Sequence, residues 1–295
     1  MLHSKELRQY NIDQQSYLLL RHGLKPVIRI TIRENENEVK TLKNFLRNVG
    51  VFFIIKKIYK LYGQKLQTPI INVYISLSQE LAEQAYRAEK NGNRSLLGES
   101  LGYPDCCVEK FIEKIKNYVK RNDFNILAYK EIQGKPSFFC NNIFVLDSKI
   151  SSDDRPKLLR NLALFDKVAD LFLIRHIPCS FDCKKSITLG KRTLGLLKKI
   201  EPELAKKIVD AIKRPILYFD YFNWLVFEGR VNNEELIYKK LLPYESLFPK
   251  RKIAKIKLGN RIKASKKEIF VLKDNKIILR IPKKNRYSGV IIDFQ

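Results

Sequence analysis

The eleven residues HIPCSFDCKKS, His176 to Ser186, place two of the chain's five cysteines and one of its three histidines within eight positions. A second string, GYPDCCVEKF, Gly102 to Phe111, holds two further cysteines. As thiolates, cysteines bind metal ions and attack electrophiles. Zinc takes Cys and His in tetrahedral sets. An iron–sulfur cluster prefers thiolates and can leave one iron open to a substrate. The paired C-x2-C of a zinc finger is absent, which ranks a 4Fe-4S cluster ahead of zinc as the cofactor. Two other readings stay open: a thiol redox protein with a reversible disulfide between the strings, and thiols buried as small apolar groups.

Both strings share one grammar. Proline suits the first turn of a helix, and Pro104 and Pro178 are each followed by cysteines and then by apolar residues at helical spacing. The expectation is two helices that begin at these prolines. Cys106 and Cys107 then fall in the first turn of one, and Cys179 and Cys183 lie a turn apart on one face of the other, roughly 6 Å between Cβ atoms. A helix amino end carries roughly half a positive charge and favours thiolate over thiol. Adjacent helical residues point about 100° apart, so one of Cys106 and Cys107 is expected to ligate while the other packs.

The candidate ligands are Cys106, Cys107, Cys179, Cys183 and His176, the histidine as a fourth ligand or as a neighbour that tunes the others. Asp182 and Ser186, with Ser180, lie close enough in sequence to touch a bound substrate and are the candidate catalytic residues. Cys140, in SFFCNN, reads as a packing residue, and His3 and His22 as surface or packing residues. Cys179-x3-Cys183-x2-Ser186 also looks like the radical SAM cluster loop with serine for its third cysteine. That loop follows the first strand of a barrel, whereas a helix is expected ahead of this one.

The elements that must position these strings read as α+β. Residues 1–95 form a mixed α/β domain: a helix from Ser4 to Arg21, a strand from Pro26 to Ile32, a helix from Glu36 to Val49, strands over Val51–Tyr62 and Ile70–Leu77, and a helix capped by Ser78. Residues 96–248 form a mainly helical cysteine-bearing core. It includes a turn at Ser151–Pro156, a helix from Lys157 to about Arg175, and a closing aromatic strand, Pro215 to Phe227. Residues 249–295 form a small basic β module with a hairpin turn at Asp274-Asn275.

Charge is unevenly spread. The net charge is +26, and Lys250 to Arg286 supplies +13 of it, fifteen cations against Glu268 and Asp274. Concentrated positive charge attracts polyanions, nucleic acid first. The residues expected to grip phosphates are Lys250, Arg251, Lys252, Lys255, Lys257, Arg261 and Lys263. An apolar fraction of 45% excludes a disordered basic tail for the whole chain. No apolar run reaches the roughly 18 residues of a membrane span, and the start has no export signal, so a soluble cytoplasmic protein with no membrane partner is expected. An odd cysteine count in a long chain argues against a disulfide framework. No Gly-rich phosphate loop, Ser-His-Asp arrangement or H-E-x-x-H is present.

GYPDCCVEKF, followed some seventy residues on by HIPCSFDCKKSITLGKR, resembles an uncharacterised family of prokaryotic proteins, a domain of unknown function. The likeness runs loosely from about Ile71 to Trp224 and leaves the basic end outside. It implies that the two blocks work as one unit and brings no reaction with it. Two functions follow from the residues. The first is a metal- or iron–sulfur-dependent enzyme acting on nucleic acid, with RNA, and tRNA modification, foremost. The second is a nucleic-acid-binding protein without chemistry, pinned by a structural zinc.

Overall fold

In the computed structural model, the described residues are 7, 10, 12–33, 35–61, 64–117, 124–145, 171–220, 223–244, 248–283 and 288–295. The architecture is α+β, as expected, with nine helices and ten strands in two sheets among those residues. Two compact units divide the chain, residues 1–117 and 118–295.

The first unit is built on the helix α1 (Gln14–Arg21), the strand β1 (Val27–Arg33), α2 (Glu36–Asn48), β2 (Phe52–Leu61), β3 (Gln64–Ser76), α3 (Gln79–Lys90), α4 (Arg94–Ser100) and α5 (Asp105–Asn117). Short polar side chains start the helices: Asp13 accepts the Ser16 N–H, Asn35 those of Asn37 and Glu38, and Ser78 that of Leu81. The antiparallel sheet has the order β1-β3-β2, with Val27 opposite Ser76 and Phe52 opposite the same residue from the other side. Alternation along the strands sends Ile28, Ile30, Ile32, Val73 and Ile75 to one core with Leu42 and Leu46 of α2. Val27 and Tyr74 go to the other, against Ala85 of α3. Glu89 of α3 fixes that helix to the sheet by accepting hydrogen bonds from Arg29, Asn72 and Tyr74.

The second unit holds α6 (Phe124–Lys130), a 3-10 turn (Phe138–Cys140), α7 (Lys184–Ile200), α8 (Pro202–Ile212), β4 (Ile216–Asp220), β5 (Asn223–Asn232), β6 (Glu235–Leu241), α9 (Lys250–Leu258), β7 (Arg261–Ala264), β8 (Glu268–Lys273), β9 (Lys276–Pro282) and β10 (Val290–Ile292). Its strands make one antiparallel sheet in the order β10-β4-β5-β6-β7-β8-β9. Asn233-Glu234 and Asp274-Asn275 close two hairpins with positive φ at both residues (48° and 62°, 48° and 68°), the geometry whose twist matches paired strands.

Several expectations change. The aromatic segment Pro215–Phe227 is β4 and the start of β5, antiparallel to each other, rather than one strand; the Asn223 side chain donates to Asp220 at 2.7 Å across their junction. The basic segment opens as the helix α9. KIAKIKL fits both periods, and burial of Ile253 and Ile256, three apart, settles it as helical. The expected boundary at 248/249 runs through the seven-stranded sheet. The turn 151–156 and residues 157–170 of the expected long helix lie outside the described residues, while 171–175 are not helical. Of the expected helix from Ser4, residues 7 and 14–21 are helical, and residues 1–6, 8, 9 and 11 also lie outside the described residues. No described helix is long and apolar enough to cross a membrane.

Candidate metal centre

The first cysteine string folds as its proline requires. Gly102, at φ +75°, makes the turn out of α4, and a Cβ there would lie 2.7 Å from Pro26 Cδ. Only glycine meets both conditions. The Pro104 carbonyl accepts the N–H groups of Cys107 (2.9 Å) and Val108 (3.0 Å), and α5 runs on from Asp105. Cys106 and Cys107 thus sit in the first turn, and Asp105 Oδ1 accepts the Cys106 N–H at 2.7 Å.

The second string departs from expectation. Pro178 does not open a helix; α7 begins at Lys184, with Cys183 as its cap residue, and residues 179–182 form a bend followed by a turn. Cys179 and Cys183 therefore do not share a helical face. The reason is a set of long-range hydrogen bonds that takes up this backbone and its side chains. Asp182 Oδ2 accepts the N–H groups of Gln133 (3.0 Å) and Gly134 (2.9 Å), and Oδ1 accepts from Ser180 Oγ. Phe181 O accepts the Ser137 N–H at 2.8 Å, and the Phe181 ring, fully buried, stands edge-on to Phe294. Burial by itself would raise the Asp182 carboxyl, but the hydrogen bonds from Ser180, Gly134, Gln133 and its own N–H outweigh it and hold the group below the usual carboxylate value.

These two local structures present their sulfurs together. The Sγ atoms of Cys106, Cys107, Cys179 and Cys183 all lie within 4.8 Å of one another. Such a group can hold a metal ion. Both members of the adjacent pair belong to it, with Cys106 Sγ 4.0 Å from Cys107 Sγ, so the expectation that one would turn away is corrected. Cys107 and Cys183 are buried, and Cys106 and Cys179 are half-buried.

His176 lies outside this group of four; its Nε2 is 2.8 Å from Ser186 Oγ, and both residues are buried. The two candidate catalytic residues are engaged in structure: Asp182 braces the cysteine loop, and Ser186 anchors the first turn of α7 to His176. Cys140 is fully buried, as expected, and its thiol donates to the Cys183 carbonyl at 3.7 Å. Burial first, then the nearby Cys183, Cys179 and Asp182, push that thiol well above its ordinary value. Sequence reasoning missed Gln133-Gly134, whose N–H groups hold Asp182, and Gly190, where a Cβ would come 2.8 Å from the Phe139 carbonyl oxygen. A glycine inside a helical pattern was the available signal for the second.

Of the seven basic candidates, Lys250, Arg251, Lys255 and Lys257 are exposed on α9, and Lys252 is half-buried with its Nζ 6.0 Å from the Phe248 ring centre. Lys263 and Arg261 of β7 meet Glu235 of β6 at 2.6 Å and 3.7 Å. That acid, outside the basic segment, reduces their share of the positive field. No family model, no curated protein and no solved structure matches the chain.

Proposed function

We propose that the chain is a nucleic-acid-binding protein stabilised by one zinc ion, held as a tetrahedral thiolate set by Cys106, Cys107, Cys179 and Cys183. The observation that carries the reading is the separation of the four sulfurs, none beyond 4.8 Å from another. Ligands at a zinc–sulfur distance of about 2.3 Å lie about 3.8 Å apart on a tetrahedron. A 4Fe-4S cube interposes iron and sulfide between its thiolates and spreads them more widely, so the sulfur spacing favours a single ion over a cluster. Four thiolates also close the coordination shell, which is the mark of a structural ion; a catalytic one keeps a position for water or substrate.

Net charge of +26 supports the nucleic-acid half of the reading. The exposed cations of α9 supply a phosphate-binding face free of acid in its own sequence.

Elemental analysis of protein purified without oxygen tests the metal. One zinc per chain and no absorbance near 400 nm is the expected result. A brown protein with about four irons per chain would instead favour an iron–sulfur enzyme acting on RNA. For the second half, Lys255→Asp with Lys257→Asp is expected to weaken RNA binding. Each lost phosphate contact also flattens the slope of log affinity against log salt by about 0.7 for single strands. Unchanged affinity and slope would remove α9 from the interface.

A further inference from the structure

Among the described residues, the seven-stranded sheet carries buried side chains on both faces at one end and mainly on one face at the other. At β4 and β5, Leu217, Leu225 and Phe227 enter the main core, while Tyr218, Trp224 and Val226 point to the opposite side and are also fully buried. Across β6 to β9, among the described residues, the buried apolar side chains of the main core lie on one face: Leu236, Ile262, Ile269, Val271 and Ile281 join Ile253 and Ile256 of α9. The alternate residues of these strands take the other face. There the register sets Glu235 opposite Lys263, Lys263 opposite Phe270, and Phe270 opposite Arg280, in one row across four strands. Phe270 is half-buried, and the guanidinium of the exposed Arg280 lies 5.7 Å from its ring centre.

We infer that this face is a platform for single-stranded nucleic acid, on which Phe270 stacks a base while Arg280 and Lys263 hold the flanking phosphates. The inference rests on the nucleic-acid-binding reading above and gives that partner a class. Charge selects the occupant. On β7 to β9 and in the two hairpins that join them, Arg261, Lys263, Lys266, Lys267, Lys273, Lys276 and Arg280 stand against Glu268 and Asp274, with Glu235 of β6 beside Lys263, and Lys266, Lys267, Lys273 and Lys276 are exposed. A half-exposed ring between cations is the combination that single strands use, because every base offers a stacking face and the backbone follows the charge. A duplex keeps its base faces inside its own stack, so the platform discriminates against it.

The test titrates the full chain with its metal against a labelled oligouridylate, an oligothymidylate of equal length and a duplex, read by fluorescence anisotropy. Phe270→Ala is expected to weaken both single strands about tenfold and the duplex far less, and Phe270→Tyr to restore single-strand binding. In a Phe270→Trp variant, oligonucleotide is expected to quench the new fluorescence; the one native tryptophan, Trp224, is fully buried. A larger loss with RNA than with DNA also supports the platform and adds a contact to the ribose hydroxyl. Melting temperature and zinc content serve as the folding check. Single-strand binding left intact by both Phe270→Ala and Arg280→Glu, with no quenching, overturns the platform. If Lys255→Asp with Lys257→Asp then abolishes binding, the wider reading stands on α9 alone. A wild-type chain that binds no oligonucleotide overturns both.

Discussion

Cys106 Sγ lies 4.0 Å from Cys107 Sγ, close to the edge of about 3.8 Å that two thiolates span on tetrahedral zinc. Adjacent helical residues diverge at Cβ, but rotation about χ1 swings both sulfurs to one side, and half-buried Cys106 completes a set otherwise short of a fourth thiolate. Serine at any one of the four positions is therefore expected to lower bound zinc well below one per chain, with Cys106→Ser as damaging as Cys107→Ser. Cys140→Ser, outside the group, is expected to keep the full ion. Zinc content measured beside far-ultraviolet circular dichroism checks this, since each unit's core should preserve its secondary structure. Full zinc in Cys106→Ser would show that three thiolates suffice.

Asp182 is the brace on which Cys179 and Cys183 depend. Its carboxylate accepts two backbone N–H groups and the Ser180 hydroxyl, and residues that orient ligands typically govern metal affinity by tenfold or more. Asp182→Ala is expected to lower zinc affinity by about tenfold and stability by about 1–2 kcal/mol. Competition with a colorimetric chelator reads the first, and a denaturant titration the second. Unaltered affinity would mean that the loop holds its cysteines without this carboxylate.

The same residue shows how far local pattern reaches. Both cysteine strings and their kinship were legible from residue types and spacing, as were β1, α2, β3, α3 and the Asp274-Asn275 hairpin, where periodicity and turn chemistry agree. The start of α7 was not legible. What keeps residues 178–182 out of a helix is an acceptor for N–H groups forty-eight and forty-nine positions away, and no window along the chain contains that information. α9 failed for a different reason: a short run of alternating Lys and Ile satisfies strand and helix equally until its partners are known. Glu235, which neutralises part of β7, lies outside the basic segment and becomes its neighbour only through sheet register.

Tyr74 gives the first unit a dependence on alkaline pH. Burial, followed by the charge and hydrogen bond of Glu89, pushes its hydroxyl well above the ordinary 10.0. The fold therefore favours the protonated phenol. Its contribution is complete below pH 10.0 and declines above it, as the unfolded chain releases a proton that the folded chain retains. Tyr74→Phe is expected to cost about 1 kcal/mol near neutrality and to lessen the loss of stability between about pH 9 and about pH 11. Urea midpoints for both proteins across that range provide the measurement, and parallel curves would assign the alkaline loss to other groups.

Two glycines of α7 separate packing from helix propensity. At Gly190 a Cβ would meet the Phe139 carbonyl oxygen at 2.8 Å and Phe139 Cβ at 3.0 Å, whereas at Gly195 nothing lies within 4 Å. Alanine in an exposed helix interior gains about 1 kcal/mol over glycine, so Gly195→Ala is expected to raise the melting temperature. Gly190→Ala makes the same propensity gain but forces α7 off the 3-10 turn that carries Cys140, at an overpacking cost of about 1–3 kcal/mol. The net effect is expected to be destabilising. Because Cys183 caps α7 and its carbonyl accepts the Cys140 thiol, the displacement should also reach the sulfur group and lower zinc affinity, which Gly195→Ala should leave unchanged. Equal behaviour of the two variants in melting and zinc competition would mean that close approach at Gly190 does not position the metal centre.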